Sequence, residues 1–470
     1  MNASGAGAPS RHRSAGIALA ATAFLVALAP VKFSLPAVLR HLDEWPRNFG
    51  EWIWASWPSA VFFGLLALCL LLAAWEARSG GTPLRPMLPA GLFLAAQGLS
   101  ALSTQDRALS EGVMALFASL AAGFALGIVL GRDERGLRGL LVGWVAGACW
   151  VAWSGIAQAN GGLEETRRYL EIHPELGAGM PELWDRVSRG RVFATFVYPN
   201  ALGGYVASTV FFVAAWLAAR ASPPRALSQS TRNGEGADRR EASALLDRAS
   251  AFRRCQLGFG GLLTGALLVC LFKSQSKGGY AALVAAALVF AWVGGLRRRR
   301  ATGIVLAILL LGVAGFAIGY GSRGVEKGKR TFAARVDYWR AAWRIGWEHP
   351  VFGSGPGTFA KLYPRYKAWN AESTRLVHNN YLQMWCDSGA VGFVAFAVWL
   401  PGSLVAWWWR ARKTPPSTRW ARTLVWAGLV AFALHSLVDF DLYLIGNAWP
   451  AFVLLGALAG AQPRKAPHVS

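Results

Sequence analysis

A histidine and several arginines stand in polar segments of the chain, where they could accept a proton and bind an anion. The segment LVHNNYLQMWCDSGAVGF (376–393) places His378 directly before Asn379 and close to Tyr381. An imidazole titrates near neutral pH, so it can accept a proton from a reacting hydroxyl group. A single histidine can equally be structural, and the residues alone leave both interpretations open.

The segment ARVDYWRAAWRIGWEHP (334–350) has the spacing of an amphipathic helix. It carries an aromatic stripe beside a charged stripe, formed by Trp339, Trp343 and Trp347 and by Arg340, Arg344 and Glu348. One interpretation is a helix lying on lipid, and the other is that its arginines bind phosphate oxygens through their planar guanidinium groups. The following VFGSGPGTF (351–359) predicts a tight turn, which could bind an anion or only end the helix.

Two further polar sites are predicted on the same side of the chain. In SRGRVFATFVYPNALGGYVA (188–207), Arg189 and Arg191 precede a Pro-Asn pair at Asn200 that opens an apolar run. In KSQSKGGYAAL (273–283), Ser276 and Lys277 occupy a short turn between two apolar runs. Several basic groups and one histidine at one face indicate a polyanionic substrate held in a membrane.

The composition indicates which kind of structure holds these residues in position. The 470-residue chain is 54% hydrophobic and only 16% charged, with a net charge of +23, whereas soluble domains carry about 25% charged residues. The basic residues lie between long apolar runs rather than on one folded face, which argues against a nucleic-acid partner. Twelve runs are long enough to cross a bilayer as helices, near 14–31, 58–75, 87–103, 112–130, 139–158, 199–219, 257–273, 278–296, 301–320, 389–409, 422–439 and 442–461.

The prediction is therefore an all-α polytopic integral membrane protein of about twelve transmembrane helices. Basic residues predominate on the side that includes Arg297–Arg300, which predicts that both termini are cytoplasmic. Residues 1–320 would contain helices 1 to 9 with a cytoplasmic linker at 221–256. Residues 321–388 would form a large periplasmic loop, and 389–470 the last three helices and a cytoplasmic tail.

Other chemistry is less well supported. The five cysteines include no CxxC pair, so neither a disulfide framework nor a metal site is predicted. His435, in the eleventh run and close to Asp439 and Asp441, is interpreted as a packing residue with a hydrogen-bonded partner.

The ordered set of motifs resembles the O-antigen ligase and polymerase family of bacterial envelope glycosyltransferases. The resemblance covers roughly residues 188 to 400. It consists of an arginine followed by a Pro-Asn helix start, a Ser-x-Ser-basic-Gly turn, an Arg-x-x-x-Trp helix leading to His-Pro and Gly-x-Gly-Pro-Gly, and His-Asn-x-Tyr-Leu with a later Gly-x-x-Gly. These lie at Arg191–Asn200, Ser274–Gly278, Arg335–Gly357 and His378–Gly392. The chain departs from the family in having Lys277 where arginine is common and Asp387 where many members have glutamate.

The resemblance implies transfer of a glycan from an undecaprenyl-diphosphate carrier to a lipid A-core or glycan acceptor, at the periplasmic side of the inner membrane. It implies no cofactor and no obligatory metal. By position, His378 would be the general base. The diphosphate would be bound by Arg191, Lys277, Arg335 and Arg340, with support from Asn200, Ser276, Asn379 and Tyr381.

Three alternatives remain open at this stage. A polymerase that joins lipid-linked repeat units has the same motifs as a ligase. A transporter or flippase for such lipids belongs to another class, and it predicts ionisable residues inside the spans, whereas the basic residues here avoid them. A membrane scaffold would leave the ordered motifs unexplained.

Overall fold

The computed structural model describes most of the chain as helices joined by short turns. The described residues are 10–36, 38, 44–77, 85–172, 184, 187–220, 239–293, 332–369, 371–412 and 416–461. They contain no β-strand, and a single bridge pairs Pro36 with Leu444. The predicted all-α class is confirmed for this part of the chain.

The helices follow the apolar runs because backbone amides in lipid must form hydrogen bonds within their own segment. In chain order they are α1 Ser10–Lys32, α2 Phe49–Trp54, α3 Ser59–Ala77, α4 Leu88–Leu102, α5 Arg107–Leu130, α6 Glu134–Ala157, α7 Leu163–Ile172, α8 Pro199–Arg220, α9 Arg239–Ser274, α10 Lys277–Val293, α11 332–348, α12 Phe359–Leu362, α13 Asn380–Ala397, α14 Ser403–Ala411, α15 Pro416–His435 and α16 Ile445–Ala459. Single π-helical turns join α6 to α7 and α13 to α14.

Six helical segments are long and apolar enough to cross a membrane. They are Ser59–Glu76, Arg107–Leu130, Glu134–Ile172, Pro199–Arg220, Ser250–Ser274 and Asn380–Ala411. Shorter apolar helices lie at Gly16–Lys32, Lys277–Trp292 and Ile445–Ala459. A helical membrane protein is thus confirmed, whereas the number twelve stays a prediction.

Two predicted segments lie wholly or partly outside the described residues. The predicted ninth run, 301–320, lies outside them, as does the first part of the predicted linker, 221–238. The remainder of that linker is helical, because α9 begins at Arg239 and continues without a break into the apolar run that ends at Ser274. Residues 239–256 are therefore part of a long helix rather than an irregular connection.

The helices pack closely where small residues meet. Gly127 on α5 and Gly456 on α16 show this most clearly, because a Cβ at either position would lie within 2.0 Å of a carbonyl oxygen on the facing helix. Helices without a hydrophobic drive between them associate through such close backbone contacts. Most of the buried apolar side chains belong to one cluster.

The segment between α11 and α13 has a small buried cluster of its own. Tyr338 and Ile345 of α11 pack there with Phe359, Tyr363 and Val377. This packing fixes α11 against the loop that precedes α13, and the predicted site residues stand at that junction.

Candidate active site

Arg191 connects two of the predicted polar sites. Its Nε donates a hydrogen bond to the Ser274 carbonyl oxygen at 3.0 Å, and its Nη2 donates to Asn200 Oδ1 at 3.0 Å. The guanidinium therefore joins the end of α9 to the beginning of α8, which starts at Pro199 because proline is well suited to the first helical position. The predicted supporting residue Asn200 is in direct contact with Arg191.

The turn between α9 and α10 carries Lys277 next to this arginine. Ser276 is fully buried, and its hydroxyl accepts a hydrogen bond from the Gly279 amide at 3.1 Å, which shapes the first turn of α10. Gln275 completes the turn with a φ of +54°. Ser276 thus positions the backbone from which the Lys277 side chain extends.

Lys277 lies within electrostatic reach of two arginines. Partial burial lowers the pKa of Lys277 below its ordinary value, and the positive charges of Arg191 and Arg335 lower it further. Like charges disfavour the protonated form only when they are near. The structure therefore brings together Arg191, Lys277 and Arg335, which come from three separate segments of the sequence.

His378 adjoins this group through a carboxylate. Its Nδ1 lies 3.2 Å from Oδ1 of Asp439, and Asp439 is also within electrostatic reach of Arg335. The imidazole stacks on Tyr338, with ring centroids 5.8 Å apart, and meets the edge of Phe440 at 4.8 Å. Its side chain remains 23% exposed, and Nε2 has no hydrogen-bond partner among the described residues.

The loop that carries His378 is anchored at several points. His378 itself has a φ of +54°, a conformation unusual for a residue other than glycine. The Asn379 side chain caps α13 by accepting from the amides of Tyr381 and Leu382, both at 3.0 Å. The Tyr381 hydroxyl donates to the Ala433 carbonyl at 3.1 Å, and so ties the loop to α15. Asn379 and Tyr381 therefore anchor the loop that carries His378.

Asp439 is the site residue that the sequence analysis did not assign to His378. Its side chain is 2% exposed, and Oδ1 also accepts from the Phe440 amide at 2.9 Å. The sequence indicates this pairing indirectly, because two carboxylates follow His435 and only one of them is needed to pair with it. Asp441 is that partner, which leaves Asp439 for His378.

The second histidine is buried in a hydrogen-bonded pair, as predicted. His435 Nδ1 lies 2.5 Å from Asp441 Oδ2, and Asn447 donates to the other oxygen of Asp441 at 2.8 Å. His435 and Asp441 are both almost fully buried. The ring packs under the α9–α10 turn, because a Cβ on Gly278 would lie 3.2 Å from His435 Nε2.

The glycine-rich turn binds a side-chain carboxylate of the protein itself. The amides of Gly357 and Phe359 donate to the two carboxylate oxygens of Asp387, at 2.9 and 3.1 Å. Gly353, Gly355 and Gly357 all have positive φ, which other residues rarely adopt. Asp387 is fully buried, so the turn holds α13 against the end of α11.

Arg340 stands apart from the basic group. It lies five residues after Arg335 on α11, which places it about 140° round the helix, and its side chain is exposed. On the adjacent stripe, Trp343 and Trp347 are about half exposed and both contact Trp385. The predicted role of Arg340 in diphosphate binding therefore stays a prediction without a contact to support it.

The described residues include no group of three or more His, Cys, Asp or Glu side chains suited to a metal ion. The chemistry available at the site is that of three cations, an imidazole and a buried carboxylate. Such a set can bind a diphosphate group and move a proton.

The comparison with known families agrees with the ordered motifs. Residues 262–397 match the family model described as O-antigen ligase. The predicted family resemblance is thereby confirmed over a segment that contains Lys277, Arg335 and His378. No match was found among the curated proteins.

Proposed function

We propose that the protein is an O-antigen ligase-type glycosyltransferase of the bacterial inner membrane. It transfers a glycan from an undecaprenyl-diphosphate carrier to a hydroxyl group of a lipid A-core or glycan acceptor at the periplasmic face. The observation that carries this proposal is the junction of two groups of residues. The His378–Asp439 pair lies within electrostatic reach of Arg335, and Arg335 also acts on Lys277, which neighbours Arg191.

The basic group suits the diphosphate of such a donor. Arginine forks match phosphate oxygens bidentately, while lysine supplies a compact charge. When the glycosidic bond breaks, negative charge develops on the departing phosphate oxygen. Cations already in position stabilise that charge in the transition state without having to move. Arg191, Lys277 and Arg335 would bind the diphosphate together.

The His378 ring suits the role of general base. A proton on Nδ1, donated to the Asp439 carboxylate, leaves Nε2 as the acceptor on the partly exposed ring. Nε2 takes the proton of the acceptor hydroxyl as the hydroxyl oxygen forms a bond to the anomeric carbon. The bond from that carbon to the phosphate oxygen breaks, and its electron pair leaves with undecaprenyl diphosphate. Asp439 then stabilises the protonated imidazole.

The topology supports a site at one membrane face. The α9–α10 turn and the start of α8 meet through Arg191, so these helix ends lie at the same level. The Arg297–Arg300 run follows the opposite end of α10 in the sequence. Positive charge is retained on the cytoplasmic side, which favours a periplasmic position for the site.

The test is glycan transfer by the full-length protein in lipid vesicles. The vesicles contain an undecaprenyl-diphosphate glycan and a lipid A-core acceptor, and the products are separated by size. His378→Ala and Arg191→Gln should each reduce transfer at least about 100-fold. The matched control is Arg365→Gln, since Arg365 is an exposed arginine of the same outer segment, and it should keep the wild-type rate.

The products separate the related functions. One glycan added to the acceptor indicates a ligase, and a ladder of longer lipid-linked chains without acceptor indicates a polymerase. Movement of the donor across the bilayer with no product would support a transporter instead. Full transfer by well-folded His378→Ala, checked by its thermal unfolding, would refute the assignment of the base.

A further inference from the structure

A cavity of about 200 Å³ lies between the last turn of α8 and the middle of α9, far from the candidate active site. It is lined by Leu217, Ala218, Arg220, Arg253, Gln256 and Leu257. We propose that this cavity binds the phosphate group of an anionic phospholipid. The site is separate from the proposed transfer reaction, and its test does not depend on that reaction.

The polar lining of the cavity is suited to a phosphodiester. Arg220 and Arg253 supply two guanidinium groups, and neither has an ion-pair partner among the described residues. The Gln256 Nε2 is buried without a hydrogen-bond partner in the same part of the chain, so it offers a further donor. Two arginine forks and an amide donor match the oxygens of a phosphate group.

Arg220 is held in place by an aromatic side chain. Its guanidinium lies 5.0 Å from the ring centre of Trp216, and Trp216 in turn meets Phe259 of α9 at 6.0 Å. A cation over a tryptophan face is attracted by the ring. The contact orients the arginine and leaves its hydrogen-bond donors available to a ligand at the cavity.

Both arginines stand at one boundary of the membrane. Arg220 is the last residue of the apolar helix Pro199–Arg220, and Arg253 lies in the first turn of the apolar segment Ser250–Ser274. The 22 residues of α8 span about 33 Å, roughly the thickness of a bilayer core. The cavity is therefore at the level of lipid phosphates, one membrane thickness from Arg191.

The surface next to the cavity favours a lipid over a free phosphate ion. Leu257 lines the cavity and is 53% exposed, and the next turns of α9 carry two more exposed apolar side chains, Phe259 at 45% and Leu262 at 77%. Acyl chains attached to a phosphate in the cavity would lie along these side chains. Basic pockets between membrane helices on the cytoplasmic side are a known way of binding anionic lipids.

The experiment is native mass spectrometry of the full-length protein in neutral detergent. Phosphatidylglycerol and phosphatidylcholine are titrated separately, and the bound lipids are counted. We expect one tight phosphatidylglycerol site, which Arg220→Gln and Arg253→Gln each weaken about tenfold. The matched control is Arg254→Gln, because Arg254 is the neighbouring exposed arginine on α9 and does not line the cavity. It should weaken binding less than twofold.

A second variant and a competitor keep the test decisive. Gln256→Leu removes the buried amide donor while keeping its size, so it should retain folding and weaken lipid binding about threefold. Equal binding of both lipids, or equal weakening by all three arginine variants, would overturn the proposal. Displacement of the bound lipid by millimolar inorganic phosphate would also overturn it, because the site would then recognise the ion alone.

Discussion

Replacing Asp439 by asparagine tests how His378 is activated. Asparagine keeps the size of the side chain, and its oxygen can still accept from the Phe440 amide, which now donates at 2.9 Å. What is lost is the negative charge 3.2 Å from His378 Nδ1. A hydrogen bond to a charged group contributes about 1.5–3 kcal/mol. At about 1.36 kcal/mol for each factor of ten in rate, we expect Asp439→Asn to lower kcat roughly 10- to 150-fold.

The assay is steady-state glycan transfer in vesicles, with kcat and KM measured separately. In the proposed mechanism Asp439 acts through the base rather than on the donor, so kcat should fall while KM for the donor stays within about twofold. The double variant with His378→Ala should be no slower than His378→Ala alone, since a partner has no effect once the base is gone. If the double variant lost activity by the product of the two separate losses, this reasoning would be refuted. Asp441→Asn is the control, because Asp441 bonds to the buried His435. It should lower the unfolding temperature, with only a small effect on kcat.

The remaining predictions concern the basic group and the turn beneath it. Lys277→Arg should keep most of the activity if charge alone is required, whereas Lys277→Ala should lower transfer at least about tenfold, in line with one lost charge-assisted contact. Arg335→Gln should raise KM for the donor strongly, and Arg340→Gln less than about threefold, since Arg340 lies about 140° round α11 from Arg335; equal effects in a donor titration would contradict that geometry. Gly278→Ala would place a Cβ 2.9 Å from a valine methyl group, so it should destabilise the fold by about 1–3 kcal/mol and slow transfer. Gly261→Ala has nothing within 4 Å and should leave the unfolding temperature unchanged or slightly higher.

The sequence was sufficient to predict the long apolar helices of the described residues because their signal is local. Each long apolar run needs only its own residues to satisfy its backbone, and the charged and aromatic stripes at 334–350 predicted α11, observed at 332–348. The helical part of the predicted linker was missed because it lacks this apolar signal. Residues 239–256 are too polar to resemble a membrane span, yet they form the first part of α9, which continues to Ser274.

The contacts of the site could be predicted less well because they join distant residues. His378 and Asp439 are 61 residues apart in sequence, and Arg191 reaches a carbonyl 83 residues away. The glycine-rich turn was open to an anion ligand, but its amides bind the Asp387 carboxylate, 28 and 30 residues further on. Motif spacing could indicate which residue types were useful, whereas helix packing decided which of them meet.

This packing also explains why the functional unit is larger than the segment that matches the O-antigen ligase family. Residues 262–397 contain Lys277, Arg335 and His378, but Lys277 and His378 are each positioned by a residue outside the segment. Arg191 holds the Ser274 carbonyl at the turn before Lys277, and Asp439 orients the His378 ring. A fragment limited to 262–397 would keep a histidine and two cations while losing what fixes their positions. In the proposed reaction the leaving group is already a diphosphate, so positioning is the main contribution. We therefore expect catalysis to require the helices on both sides of the matched segment.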